Sequence, residues 1–140
     1  MSCRNPDFCK KKNERWIKNQ KKYLKEGQEE HEKFLSYVNE GTADIAIRSH
    51  ADKRTFERVV SNADMTDVIL NGWVIERNIN YDSQAVRLVI LGYTRKYRPI
   101  HVVCEIINEK EWEVVTVYNP ESQAYKWTNN FQERICFCKN

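Results

Sequence analysis

Glycine is scarce, with four in 140 residues. Loops that hold phosphate against backbone N–H groups need several glycines close together. No such loop occurs, nor a His-Glu-x-x-His helix, nor a Gly-x-Ser-x-Gly elbow. These absences argue against a nucleotide-cofactor enzyme, a zinc protease and an α/β-hydrolase. Long apolar runs are missing too. None approaches the ~20 residues of a membrane span, and no apolar segment follows the basic residues of MSCRNPDFCKKK, as a secretory signal requires. The chain is therefore expected to be cytoplasmic. Apolar residues make up 41% and charged residues 31%, enough for one domain if the core is concentrated.

The net charge of +3 is modest, but it is unevenly placed. Nine Lys or Arg lie between Arg4 and Lys25 against only Asp7 and Glu14, and then Glu26, Glu29, Glu30 and Glu32 reverse the sign. Such a block either serves phosphates or solvates a helix. From Asn13 to about Asn39, Trp16, Ile17, Tyr23, Leu24, His31, Phe34, Leu35 and Val38 recur at three-, four- and seven-residue spacings. They predict one long amphipathic helix, with Gly27 a point of breakage or kinking and Gly41 a left-handed cap. Residues 1–42 are read as a charged helical extension and 43–140 as the domain. The helix stripe can pack on its own domain or on a second copy, making a homodimer.

Ser49 followed by Asp52 marks the start of a second helix, with Phe56, Val59, Val60 and Ala63 on its buried side and Asn62, Asp64 and Thr66 closing it. Strands are expected near Val68–Asn78, Ala85–Tyr93, Ile100–Ile107 and Trp112–Tyr118; the first could begin as a helical turn before Asn71-Gly72. The fold class is α+β: a long N-terminal helix and a second helix packed on a mainly antiparallel sheet of about four strands. AVRLVIL, nearly all apolar, suits a strand covered on both faces. The last two strands form an antiparallel hairpin. With a four-residue loop at Asn108–Glu111, Ile107 faces Trp112, Glu105 faces Val114, Val103 faces Thr116 and His101 faces Tyr118. That face gathers His101, Glu105, Thr116 and Tyr118 as a pocket floor, while Ile100, Val102, Cys104, Ile106, Val115 and Val117 face the core.

Five cysteines divide into two classes. Cys104 lies on an apolar strand face and reads as a buried hydrophobe. Cys3 and Cys9 stand near one end of the chain and Cys136 and Cys138 near the other. In a reducing compartment such pairs indicate structural zinc ahead of disulfides. Their spacings, five intervening residues and then one, are not the usual knuckle pattern, and four plain thiols on loose ends remain the alternative.

His50, Arg54 and Arg58 stand at i, i+4 and i+8, one strip along the second helix. In the first turn, the helix dipole disfavours imidazolium at His50, leaving the neutral form a general base needs. The arginines can hold a phosphate through paired N–H donors. If the helix packs over the sheet edge, the strip meets His101 and Tyr118. One imidazole could then deprotonate a ribose 2′-hydroxyl, with the other or Tyr118 protonating the leaving oxygen and no catalytic cofactor needed. The alternative is two hydrogen-bonded interior histidines and two arginines in surface ion pairs.

Ser49-His50-Ala51-Asp52-Lys53-Arg54-Thr55-Phe56-Glu57-Arg58, Arg98-Pro99-Ile100-His101-Val102-Val103, Thr116-Val117-Tyr118-Asn119-Pro120 and Trp127 follow a recognisable order. Over about Ala46 to Trp127 the chain resembles an uncharacterised domain-of-unknown-function family of small bacterial and phage proteins. Arg58-Val59-Val60 departs from that family's usual Arg-Gly-Ile. By fold analogy the resemblance implies a place near RelE-like toxin ribonucleases, with RNA as substrate and an antitoxin or host factor as partner. The expected function is a toxin-like, metal-independent ribonuclease or RNA-binding protein using His50, Arg54, Arg58, His101 and Tyr118. The alternative is a non-enzymatic protein that binds a partner protein or an anionic small ligand on the same face.

Overall fold

The computed structural model describes residues 2–47, 60–94 and 96–138. Asn5 caps the first helix, α1 (Pro6–Asn39), by accepting from the Phe8 N–H at 3.3 Å, and Pro6 occupies the first helical position, where a missing N–H costs nothing. The helix runs unbroken through Gly27. A Cβ there would stand 3.1 Å from Leu88 Cδ2 and 3.3 Å from Val74 Cγ1, so its role is to let α1 lie close against the sheet. Gly41, at φ 75°, ends α1 as expected. Its N–H donates to the Val38 carbonyl, and the Thr42 N–H donates to that of Tyr37.

Five strands form one sheet: β1 (Asp44–Ile47), β2 (Trp73–Ile79), β3 (Val86–Tyr93), β4 (Pro99–Asn108) and β5 (Glu111–Tyr118), in the order β1-β5-β4-β3-β2. The β1–β5 pairing is parallel and the others are antiparallel. The α+β class holds, with one strand more than the sequence predicts. β1, Asp44-Ile45-Ala46-Ile47, is only four residues long, too short for alternation alone to single it out.

A second correction concerns the helix before β2. Ser61 caps α2 (Asn62–Asn71) through a reciprocal capping box with Asp64, so Asn62, Asp64 and Thr66 open a helix rather than close one. Val68 and Ile69 belong to its buried side, and Ala63 is exposed. Residues 48–59, where the other helix start is expected, lie outside the described residues.

The β4–β5 hairpin turns at Glu109-Lys110, with Asn108 opposite Glu111. Two irregularities follow, one at Ile107 and one between Val103 and Cys104. His101–Tyr118 and Val103–Thr116 pair as expected. Between the irregularities the register shifts by one residue, so Ile106 faces Trp112, Cys104 faces Val114 and Glu105 faces Glu113. The shift sends Trp112 and Val114 into the main core, with Val115 as the extra residue. That core joins Phe34, Met65, Val68 and Ile69 from the helices to Val74, Leu88, Ile90, Ile100, Val102 and Cys104. Phe34 and Trp112 stack at 4.1 Å between ring centroids, and His31 bonds the Ile69 carbonyl at 2.7 Å.

Ion pairs tie α1 to β2. Arg77 reaches Glu30 at 2.7 Å and Glu26 at 3.2 Å. The Gln20 amide both donates to the Arg77 carbonyl (3.0 Å) and accepts from its N–H (3.2 Å). On the opposite face Ile75, Val89 and Leu91 pack with Trp127 and Phe131. After two short 3-10 turns over Pro120–Lys126, an isolated bridge between Trp127 and Arg134 folds the last segment back across this face. No described helix is long and apolar enough to cross a membrane.

Candidate functional site

Cys3 lies just before the α1 cap, and Cys9 is in the helix's first turn, its N–H bonded to the Asn5 carbonyl at 3.0 Å. The folded-back segment delivers Cys136 and Cys138 to the same place, with the N–H groups of Ile135 and Cys136 both on the Lys126 carbonyl. All four sulfurs lie within 4.8 Å of one another. The Sγ–Sγ separations are 3.6 Å for Cys9–Cys138, 3.8 Å for Cys3–Cys138 and 4.0 Å for Cys9–Cys136, and no disulfide joins them. Four thiolates placed tetrahedrally about an ion with bonds of about 2.3 Å have edges of about 3.8 Å. The cluster is therefore one that could hold a metal ion. The environment pulls both ways: the Phe137 N–H donates to Cys9 Sγ at 3.3 Å and favours its thiolate, but burial and the neighbouring Cys3 and Cys138 thiols leave Cys9 raised. The backbone N–H of Arg4, aided by the Cys9 thiol, draws Cys138 down to about 7. Burial pushes Cys136 the other way, as expected of a thiol that a cation would have to ionise.

The helix rooted in this cluster carries the cationic block. Arg4, Lys10, Lys11, Lys12, Arg15, Lys18, Lys21, Lys22 and Lys25 are all exposed, and none belongs to an ion pair among the described residues. Lys10 to Lys25 spans about 22 Å of axis at 1.5 Å per residue. The acidic stretch beyond is partly consumed by the fold, since Glu26 and Glu30 neutralise Arg77. Positive charge is left concentrated on the half of α1 nearest the cysteines.

His101 corrects the expectation of an open pocket floor. It is 0% exposed, because the folded-back segment lies over its face of the sheet. Its Nε2–H donates to the Phe131 carbonyl at 2.8 Å, and Trp127 and Tyr118 meet its ring edge-on at 4.4 and 5.2 Å. A carbonyl can only accept, so Nδ1 carries the lone pair, and it has no hydrogen-bond partner among the described residues. Burial, reinforced by the charge of Arg134 and opposed by the Phe131 carbonyl, lowers His101 to about 4. The ring is neutral at pH 7 but sealed from solvent. Tyr118 is half-buried, burial pushes its phenol well above the usual range, and it borders two shallow clefts shared with Arg134. His50, Arg54 and Arg58 lie outside the described residues.

Sequence reasoning did not find Arg134. Its guanidinium covers Trp127 at 4.5 Å and pairs with the buried Glu76 at 3.2 Å. The available signal was the cysteine pattern itself: if Cys136 returns to Cys9, residues 127–135 must cross the molecule and can roof one sheet face.

The buried neutral imidazole makes stability pH-dependent. In the unfolded chain His101 takes up a proton near pH 6.5, whereas in the folded protein it does so only near pH 4. Its contribution is complete above pH 6.5 and is lost as the pH falls towards 4, about 3 kcal/mol in all. Urea midpoints at pH 7 and 4.5 should diverge more for the wild type than for His101→Gln, which keeps a donor for Phe131. Equal pH slopes would contradict this account.

Comparison with curated proteins and with solved structures finds no match. A family model matches residues 47–119. That span begins at the last residue of β1, includes α2 and β2 to β5, and leaves out α1 and four of the cysteines. It covers just over half of the chain, which thus belongs to the family described as Domain of unknown function (DUF4258).

Proposed function

We propose that this protein binds RNA along the first half of α1, which a structural zinc ion held by Cys3, Cys9, Cys136 and Cys138 fixes to the family domain. The observation that carries the reading is the set of eight exposed cations on α1, with Arg4 just before it, none in an ion pair among the described residues, beside a four-thiol cluster. A polyanion that displaces its counterions onto such a set gains affinity irrespective of sequence. Aromatic side chains among the cations favour strands with unpaired bases, the commoner form of RNA targets. The four-sulfur donor set with near-tetrahedral edges favours zinc over harder ions. The geometry supports binding ahead of cleavage, because His101 has no access to a ribose hydroxyl. Cleavage would need His50, and His50→Ala with retained affinity but lost cleavage is its test.

Binding should weaken steeply with salt, the slope of log K against log salt being about −0.7 per phosphate contacted on a single strand. Reversing Lys11, Lys18 and Lys22 to Glu should flatten that slope by about 2 and abolish binding at physiological salt. A wild-type protein that fails to retain single-stranded RNA even at 50 mM salt would sink the reading. Elemental analysis should find one zinc per chain, and cobalt substitution should give the charge-transfer bands of a tetrathiolate site.

A further inference from the structure

Between α1 and the start of β2 lies a cleft of about 210 Å³ lined by Trp16, Ile17 and Trp73, with Glu76, Glu133 and Arg134 among its polar groups. It is smaller than the ~300–1,000 Å³ of a drug-sized ligand site and suits a single flat ring system. Its two indoles are braced from behind. Phe137, between two of the metal-cluster cysteines, meets Trp16 edge-on at 5.5 Å, and Tyr93 supports Trp73 at 6.2 Å. Trp73 is nonetheless 40% exposed and Ile17 39%, so both leave apolar surface accessible at the cleft. Lys21 lines the cleft, with Lys18 three residues before it and Lys25 four residues after it on the same helix. A second copy of this cationic helix would be repelled, whereas a polyanion carrying flat apolar rings matches both features.

We infer that this cleft is a stacking site for one unpaired base of an RNA strand whose adjoining phosphates lie on Lys18, Lys21 and Lys25. The inference rests on the RNA-binding reading above and adds the part of the ligand that is recognised. Stacking on an indole tolerates any base, and the lysines fix the strand rather than its sequence. The metal cluster shapes the site by holding Phe137 against Trp16.

The test compares a twelve-nucleotide oligoadenylate with a blunt RNA duplex of the same length, using zinc-loaded full-length protein. Trp73→Ala and, separately, Trp16→Ala should weaken oligoadenylate binding about 5- to 150-fold, with duplex affinity and the salt slope unchanged. Indole emission of the wild type should be quenched by oligoadenylate, and less so in Trp73→Ala. Unaltered oligoadenylate affinity in both variants overturns the stacking site; if lysine reversal still abolishes binding, RNA binding itself stands. Equal losses on duplex and single strand in both variants also overturn it, since they indicate a structural role. A wild type that binds neither RNA overturns both readings.

Discussion

Cys136→Ser is expected to lose the metal and about 4 kcal/mol or more of stability, read as a large drop in the urea midpoint of unfolding. The size follows from what the cluster holds. Cys136 is buried beside Cys9, and these residues fasten the segment that supplies Trp127 and Phe131 to the second hydrophobic cluster. Once released, that segment no longer shields His101, Val89 and Leu91. Hydrogen exchange should therefore show faster amide exchange across residues 120–138, while the amides of β3 remain slow. The loss does not extend to complete unfolding, because the larger core between the helices and the sheet contains no residue of this segment. Cys104→Ala is the control: its thiol, pushed up to about 12 by burial, stands in that larger core and should leave the zinc content untouched. Wild-type protein with the same urea midpoint in chelator as in zinc buffer would refute the prediction.

Gly72→Ala should be the most damaging single methyl in the chain. At this site a Cβ would lie 2.4 Å from the Leu91 carbonyl oxygen and 2.5 Å from that of Val68. Both oxygens are backbone, one in β3 and one in α2, so relief requires moving a strand or a helix. A cost of about 3 kcal/mol or more is expected. Gly27→Ala makes an informative contrast. Its new methyl meets the side chains of Leu88 and Val74, which can give slightly, and helix propensity returns about 1 kcal/mol. Chemical denaturation of the two variants should separate them by at least about 2 kcal/mol, and similar midpoints would show that the chain near Gly72 yields more readily than its packing implies.

The readability of this fold from its residues varied with how local the deciding interaction is. Gly41 was legible because a left-handed residue after an apolar stripe has few alternatives. The β4–β5 hairpin was legible as a hairpin, but its register was not, because alternating side chains read equally well on either side of an irregularity. The apolar run Val68-Ile69-Leu70 fits a strand or a buried helix alike. Ser61-x-x-Asp64 decides between them, and it repeats the pattern of Ser49-x-x-Asp52 twelve residues earlier, so the sequence offers two such starts. Among the site residues, the cysteines announced a shared location by their pairing at the two ends. His101 did not announce its burial, since an imidazole on an alternating strand looks the same whether that face is open or roofed.

The cysteine cluster also sets an order of events in the making of the protein. Cys9 and Cys136 are separated by 127 positions, and translation at 5–20 residues per second takes roughly 6 to 25 s to cover that distance. Throughout that interval the two early thiols wait, while α1 and the strands can already dock. If the cluster takes an ion with all four thiols, it can do so only after every strand of the sheet has been synthesised.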